Sequence, residues 1–205
     1  HIDQQRWIPN NDSFINPPDA GRYPQVWNNN CLLCHSVAGD VGYEQGNWQS
    51  SVAELGIACE ACHGPGEAHL HRHRNPLMRY GQHLSDKVDE TIVNPARLPH
   101  DKASEVCGQC HTAFDPSVAT PANTYRPGAD FHSIFTLASQ EDDSYWRDGT
   151  MRIGGREFSG MSQSACYLKG ELSCLTCHSM HDSDPNKQMH PTMTAMKPAC
   201  SVIRR

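Results

Sequence analysis

Eight of the ten cysteines of this chain stand in four C-x-x-C pairs, and a histidine follows each pair directly. The four pentads are Cys31-Leu-Leu-Cys34-His35, Cys59-Glu-Ala-Cys62-His63, Cys107-Gly-Gln-Cys110-His111 and Cys174-Leu-Thr-Cys177-His178. Two thiols at this spacing can add across the two vinyl groups on one edge of a porphyrin. The next residue then sets its imidazole beneath the iron, which makes C-x-x-C-H the attachment signature of c-type haem. Paired cysteines can also bind zinc four sulfurs at a time, form disulfides, or do thiol redox chemistry. None of these needs a histidine after every pair. With 13 His among 205 residues, four of four by chance is on the order of one in 10⁵. The expectation is four covalently attached haem c groups held by Cys31, Cys34, Cys59, Cys62, Cys107, Cys110, Cys174 and Cys177. His35, His63, His111 and His178 would be the proximal iron ligands.

The second axial ligand decides what such irons can do. An iron with two side-chain ligands passes electrons, whereas an open position permits chemistry on a substrate. Nine histidines lie outside the motifs: His1, His69, His71, His73, His83, His100, His132, His181 and His190. Four irons need four of them, so full bis-His ligation is within reach. His69 follows Cys62-His63-Gly64-Pro65-Gly66, a turn that breaks a helix and returns the chain. His181 stands three residues after His178 and suits a neighbouring iron, because two ligands of one iron approach from opposite faces. His132 sits in a long segment without a motif of its own. His190 competes with His1, His73 and His83 for the fourth iron. The expected distal set is therefore His69, His132, His181 and His190. Six methionines (Met78, Met161, Met180, Met189, Met193 and Met196) could also ligate and would raise a potential, but with histidine this abundant His ligation is expected. The tract His69-Leu-His71-Arg-His73-Arg has two other readings, a metal-binding tract and a solvated basic face; His69 and His73 share a helix face and His71 does not.

Composition agrees with a chain organised by something other than aliphatic side chains. Hydrophobic residues are 37% and aromatic residues 7%, while Gly and Pro number 15 and 14. Such a chain builds a thin core for its length, and flat apolar porphyrins would supply what is missing. Charged residues are only 20%, so this is not a charge-rich disordered chain. The net charge of −6 speaks against nucleic acid as a partner. No apolar run approaches the roughly 20 residues that span a bilayer. Thiol addition to haem takes place outside the cytoplasmic membrane, so a periplasmic or extracellular location is expected, with a signal peptide removed before His1. The two spare cysteines, Cys166 and Cys200, would in that compartment form a disulfide, stay free, or pair between subunits.

The expected fold is mainly irregular with short α-helices around a stack of four haems, in one domain over 1–205. Residues 1–30 read as an extended arm and 182–205 as an extended tail. Ser51-Val-Ala-Glu54 matches a capping box and predicts a helix running into the second motif. Asp101–His111 and Gly170–His178 read as short helices carrying the third and fourth motifs, with Ser104 as a cap. A small β-hairpin is expected around Arg152–Phe158.

Three clusters carry a family resemblance: Cys59-Glu-Ala-Cys62-His63-Gly64-Pro65-Gly66-Glu-Ala-His69; Tyr145-Trp146-Arg-Asp-Gly149 with Gly155-Arg-Glu-Phe158 and Ser164-Ala-Cys166-Tyr167; and Cys174-Leu-Thr-Cys177-His178-Ser-Met-His181. Over about residues 31–181 the chain resembles multihaem cytochromes related to hydroxylamine oxidoreductase and its tetrahaem electron acceptor, a class that includes filament-forming extracellular cytochromes. The resemblance implies haems packed in parallel and perpendicular pairs with mostly bis-His ligation, and it implies His69, His132 and His181 as distal ligands. Such modules often carry a further C-x-x-C-H after the His181 position, whereas here Cys200 is followed by Ser-Val-Ile-Arg-Arg. Three functions fit. The first is an electron carrier with four low-potential haems that exchanges electrons with other redox proteins. The second is the same carrier polymerised into a filament, with a ligand supplied by the next subunit. The third is an oxidoreductase acting on a small nitrogen or sulfur species at a five-coordinate haem.

Overall fold

The computed structural model describes residues 4–9, 19, 21, 26–114, 125–139, 143–181, 188–190 and 193. Its residues segregate into two units interleaved along the sequence. The first comprises 1–58, 109–124 and 132–160, and the second 59–108, 125–131 and 161–205. The expectation from sequence is one domain over 1–205. Most of the expected arm and tail, His1 and Cys200 among them, lies outside the described residues.

In the first unit a π-helical turn, Trp27–Cys31, leads into the first motif. The turn that follows is closed by the N–H groups of Cys34 and His35 donating to Cys31 O. Strand β1 (Ser36–Val37) then pairs antiparallel with β4 (Glu54–Leu55), Ser36 opposite Leu55. Between them β2 (Tyr43–Glu44) and β3 (Asn47–Trp48) form a hairpin. Its two turn residues, Gln45 and Gly46, both have positive φ, as a type I′ turn requires. The Tyr43 and Trp48 rings meet across it at 4.4 Å. Ser51 does not start a helix: it bridges to Asp40, and Glu54 lies in β4. Helix begins only at Cys59. The capping-box pattern is local, and the backbone groups it would have served are already paired across the loop.

The hairpin expected at Arg152–Phe158 is also replaced. A bridge between Tyr145 and Met151 closes the turn between them, and the chain then enters a short helix, α5 (Glu157–Met161). Tyr145 packs with Ala113 and Ala138, with Met151 against them. Ser159, fully buried, accepts a hydrogen bond from the N–H of Ala113 at 2.7 Å, and Phe158 is 2% exposed beside it in sequence.

The second unit is helical. The second motif is itself a helix, α1 (Cys59–His63). Gly64 ends it at φ +72, a left-handed conformation that favours glycine. The chain re-enters helix as α2 (Glu67–His73), whose first turn is steadied by Glu60 accepting from the N–H of Gly66 at 2.7 Å. Asn75 then caps α3 (Pro76–His83) by accepting from the N–H of Leu77, with Pro76 at the first helical position.

Helix α4 (His100–His111) carries the third motif. Ser104 lies in its interior and is not a cap. Its hydroxyl donates to His100 O at 2.8 Å and accepts from the N–H of Cys174 at 3.3 Å, so it ties α4 to the start of the fourth motif. That motif forms α7 (Cys174–Cys177), shorter than the Gly170–His178 reading. Between α4 and α7 runs α6 (Ala165–Leu168). Phe131, fully buried, meets the Tyr125 ring edge-on at 5.7 Å.

Replacing Phe158 with alanine should remove about 3–5 kcal/mol of stability. Trp7→Ala, at a fully exposed side chain, should stay within about 0.5 kcal/mol. Denaturant titration of the two variants beside the parent protein checks both.

Candidate functional site

The second motif has the best-defined surroundings. Val93 grips His63 twice: its N–H donates to His63 O at 3.1 Å, and its carbonyl accepts from His63 Nδ1 at 2.7 Å. A ring nitrogen that donates to a carbonyl fixes the tautomer and leaves Nε2 as the basic, metal-binding nitrogen. His181 lies opposite, its ring within 8° of parallel to that of His63 and the two centres 5.9 Å apart. Two imidazoles on one iron, each at a metal–nitrogen distance of about 2 Å, hold their ring centres roughly 6 Å apart. Thus His181 meets the histidine of a different motif and not His178 of its own.

The third motif histidine has another kind of partner. His111 Nδ1 lies 3.2 Å from Glu157 Oε2, and both side chains are more than half exposed. The other oxygen of Glu157 accepts from the N–H of Gly155 at 2.7 Å. Partial burial works against ionisation of Glu157, but the backbone N–H groups and His111 outweigh it and hold the carboxyl below its ordinary range. In the first motif His35 is exposed, with the Trp27 ring 6.4 Å away. His178 is exposed too, and its backbone is bridged to Met189.

The motif cysteines meet across motifs. In the first unit the Cys34 and Cys110 thiols each donate to the other's backbone carbonyl at 3.9 Å, and Arg156 donates to Cys110 O at 2.8 Å. The hydrogen bond from Cys110 lowers the Cys34 thiol to about 6 against the opposing effect of burial, and the positive Arg156 adds to it. In the second unit Cys107 is hydrogen-bonded to Cys174, which together with burial and the nearby Cys62 pushes its thiol strongly upward. Burial also raises Cys31 and Cys62.

The remaining expected ligands are placed as follows. His69 stands on α2 with its Nδ1 3.1 Å from Asp89 Oδ2. His132 is exposed in a 3-10 turn, Phe131–Ser133. His190 is exposed, and its backbone N–H donates to Cys177 O at 2.7 Å, which keeps it beside the fourth motif. Cys166 sits half-buried in α6, and its expected partner Cys200 is outside the described residues. Sequence reasoning missed Val93, Glu157 and Asp89. Each reaches a histidine from 16 to 46 residues away, and no local pattern marks any of them.

The chain is 28% identical over 116 residues to the multiheme cytochrome MtrA of Shewanella baltica (strain OS185). That match covers 47% of this chain and 35% of the relative, so the chain spans about a third of the length of the curated relative it matches. No family model and no solved structure matches. Among the described residues no helix is long and apolar enough to cross a membrane.

The residues around the motifs fit a porphyrin. Trp27, four residues before Cys31 in the first unit, and Met180, two residues after His178 in the second, are 48% and 50% exposed. Apolar side chains left open by the polypeptide next to paired thiols and an imidazole form a donor set and a surface suited to a flat apolar ring.

Proposed function

We propose that the chain is an exported multihaem c-type cytochrome that transfers electrons and does no chemistry on a substrate. The observation that carries this is the facing pair His63 and His181, with the Nδ1 of His63 committed to Val93. With a haem in place, this parallel pair would hold one iron from both sides. When bound, haem supplies a one-electron iron couple whose potential follows its axial ligands, its hydrogen bonds and its burial. The chain's part is to attach, orient and insulate. The cysteine pairs at 31 and 34, 59 and 62, 107 and 110, and 174 and 177 each anchor one haem c, giving four. His35, His63, His111 and His178 are the proximal ligands, and His181 is the distal partner of His63. His69, His132 and His190 would be the distal ligands of the other irons. Val93 holds one proximal ring through a neutral carbonyl, and Glu157 holds another through a carboxylate, which makes that imidazole the stronger donor. The partners are other redox proteins, which receive or supply single electrons.

Two measurements test this. Thioethers do not reduce, so at most Cys166 and Cys200 should alkylate in the reduced, denatured, mature protein. Alkylation of all ten cysteines would refute covalent haem. His181→Ala should convert about one iron per chain from low-spin to high-spin in the electron paramagnetic resonance spectrum, with the haem count unchanged. An unaltered low-spin spectrum would remove His181 from the ligand set.

A further inference from the structure

Helix α2 and the segment after α3 share contacts that axial ligation alone does not explain. His69 and His73 are four residues apart, so their rings share one helix face, with centres 4.4 Å apart. Both reach the same carboxylate oxygen: His69 Nδ1 lies 3.1 Å and His73 Nε2 2.5 Å from Asp89 Oδ2. An ionised carboxylate only accepts, so both rings donate to it. Donation from Nδ1 leaves Nε2 as the basic nitrogen of His69. Four residues further on, the carbonyl of Val93 fixes His63 in the same way. The remaining histidine of the tract, His71, turns away, 67% exposed and 4.0 Å from Glu67.

Asp89 is itself held. Its other oxygen, Oδ1, accepts from the N–H of Thr91 at 2.9 Å and from the Thr91 hydroxyl at 2.6 Å, which leaves Oδ2 to the imidazoles. His73 and Asp89 are nearly buried, at 11% and 12% exposure. Burial works against a charge on Asp89, but the hydrogen bonds from Thr91, and then those from His73 and His69, outweigh it and hold the carboxyl well below its ordinary range. A nearly buried anion is costly unless several donors meet it, and His73 is one of them. By donating to Oδ2, His73 tempers the charge that Asp89 presents to His69.

We propose that Asp89 is a positioning residue for the distal ligand His69 and lowers the potential of the iron that His69 serves, so that the short strap 89–93 tunes two different irons. The proposal rests on the multihaem reading, with His69 as an iron ligand. His63 already has His181 as its facing partner, so His69 belongs to another iron. One strap therefore backs one ligand with the neutral carbonyl of Val93 and another with the carboxylate of Asp89. A carboxylate behind an imidazole raises its basicity and favours the oxidised metal, and a carbonyl does so less. The iron of His69 is set lower on this account than it would be without Asp89. His73 acts in the opposite sense: each hydrogen bond it gives Asp89 takes donor strength from His69.

The test uses the haem-loaded protein, with midpoint potentials resolved by spectroelectrochemical titration and spin states by electron paramagnetic resonance. His69→Ala should turn about one iron per chain high-spin. Asp89→Asn, nearly isosteric and uncharged, should keep every iron low-spin and raise one midpoint by about tenfold in its oxidation equilibrium, about 59 mV for one electron. His73→Phe, which takes a donor from Asp89, should lower the same midpoint. His71→Ala should leave all midpoints where they are. The iron count and circular dichroism of each variant show whether it has folded and loaded haem, and if Asp89→Asn fails to load, the sign of the His73→Phe shift decides. Unmoved midpoints in Asp89→Asn, or no downward shift in His73→Phe, would overturn the proposal and leave the electron-transfer reading standing. An unaltered low-spin spectrum in His69→Ala would overturn it by taking His69 out of the ligand set. Cysteine alkylation and His181→Ala judge the wider reading independently of all these variants.

Discussion

A histidine serves as a metal ligand only if one ring nitrogen is committed elsewhere and the other is left basic and aimed. The two hydrogen bonds between Val93 and His63 meet that requirement, and much of the second unit follows from them. They fix the backbone after Cys62 as well as the ring. The loop that delivers Val93 is set by Asp89 and Thr91 before it and by the Asn94-Pro95 turn after it, where Asn94 accepts from the N–H of Ala96. Gly64 then turns the chain away at positive φ, so the helix of the second motif stops where its histidine has been placed.

The attachment chemistry was legible in the sequence because it is local. Two cysteines and a histidine within five residues carry the meaning without any fold. The Gly64-Pro65-Gly66 break was legible for the same reason, since it depends on backbone geometry at those residues. What could not be read were partners brought from a distance. Nothing near Asp89 marks it as the residue on which His69 and His73 converge, and nothing near Glu157 points to His111. Ser51–Glu54 failed in the opposite way. Its pattern for starting a helix was present, but pairing of Ser51 with Asp40 and of Glu54 with Val37 gave those groups non-local partners first. The Tyr43–Trp48 hairpin leaves no mark in the sequence because its strands are two residues each, too short for alternation to appear.

Two motif histidines with defined Nδ1 partners differ in the charge behind them. His63 faces a neutral carbonyl, and His111 faces a carboxylate. A carboxylate partner raises the basicity of the imidazole and stabilises the oxidised metal. Covalent attachment and ligand type can be the same at two irons while their potentials differ through this outer contact alone. In the carrier proposed above, such differences would give direction to electrons.

The most direct test of the central claim is the spin state of the fully oxidised native protein, read by electron paramagnetic resonance and the visible spectrum across a dilution series. Irons closed by two histidines of one chain give purely low-spin signals at every concentration, which is the result the account predicts. A high-spin fraction that persists at high concentration would mean an open iron and would contradict it. A high-spin fraction that grows only on dilution would contradict closure within one chain, because the missing ligand would then come from a neighbouring copy.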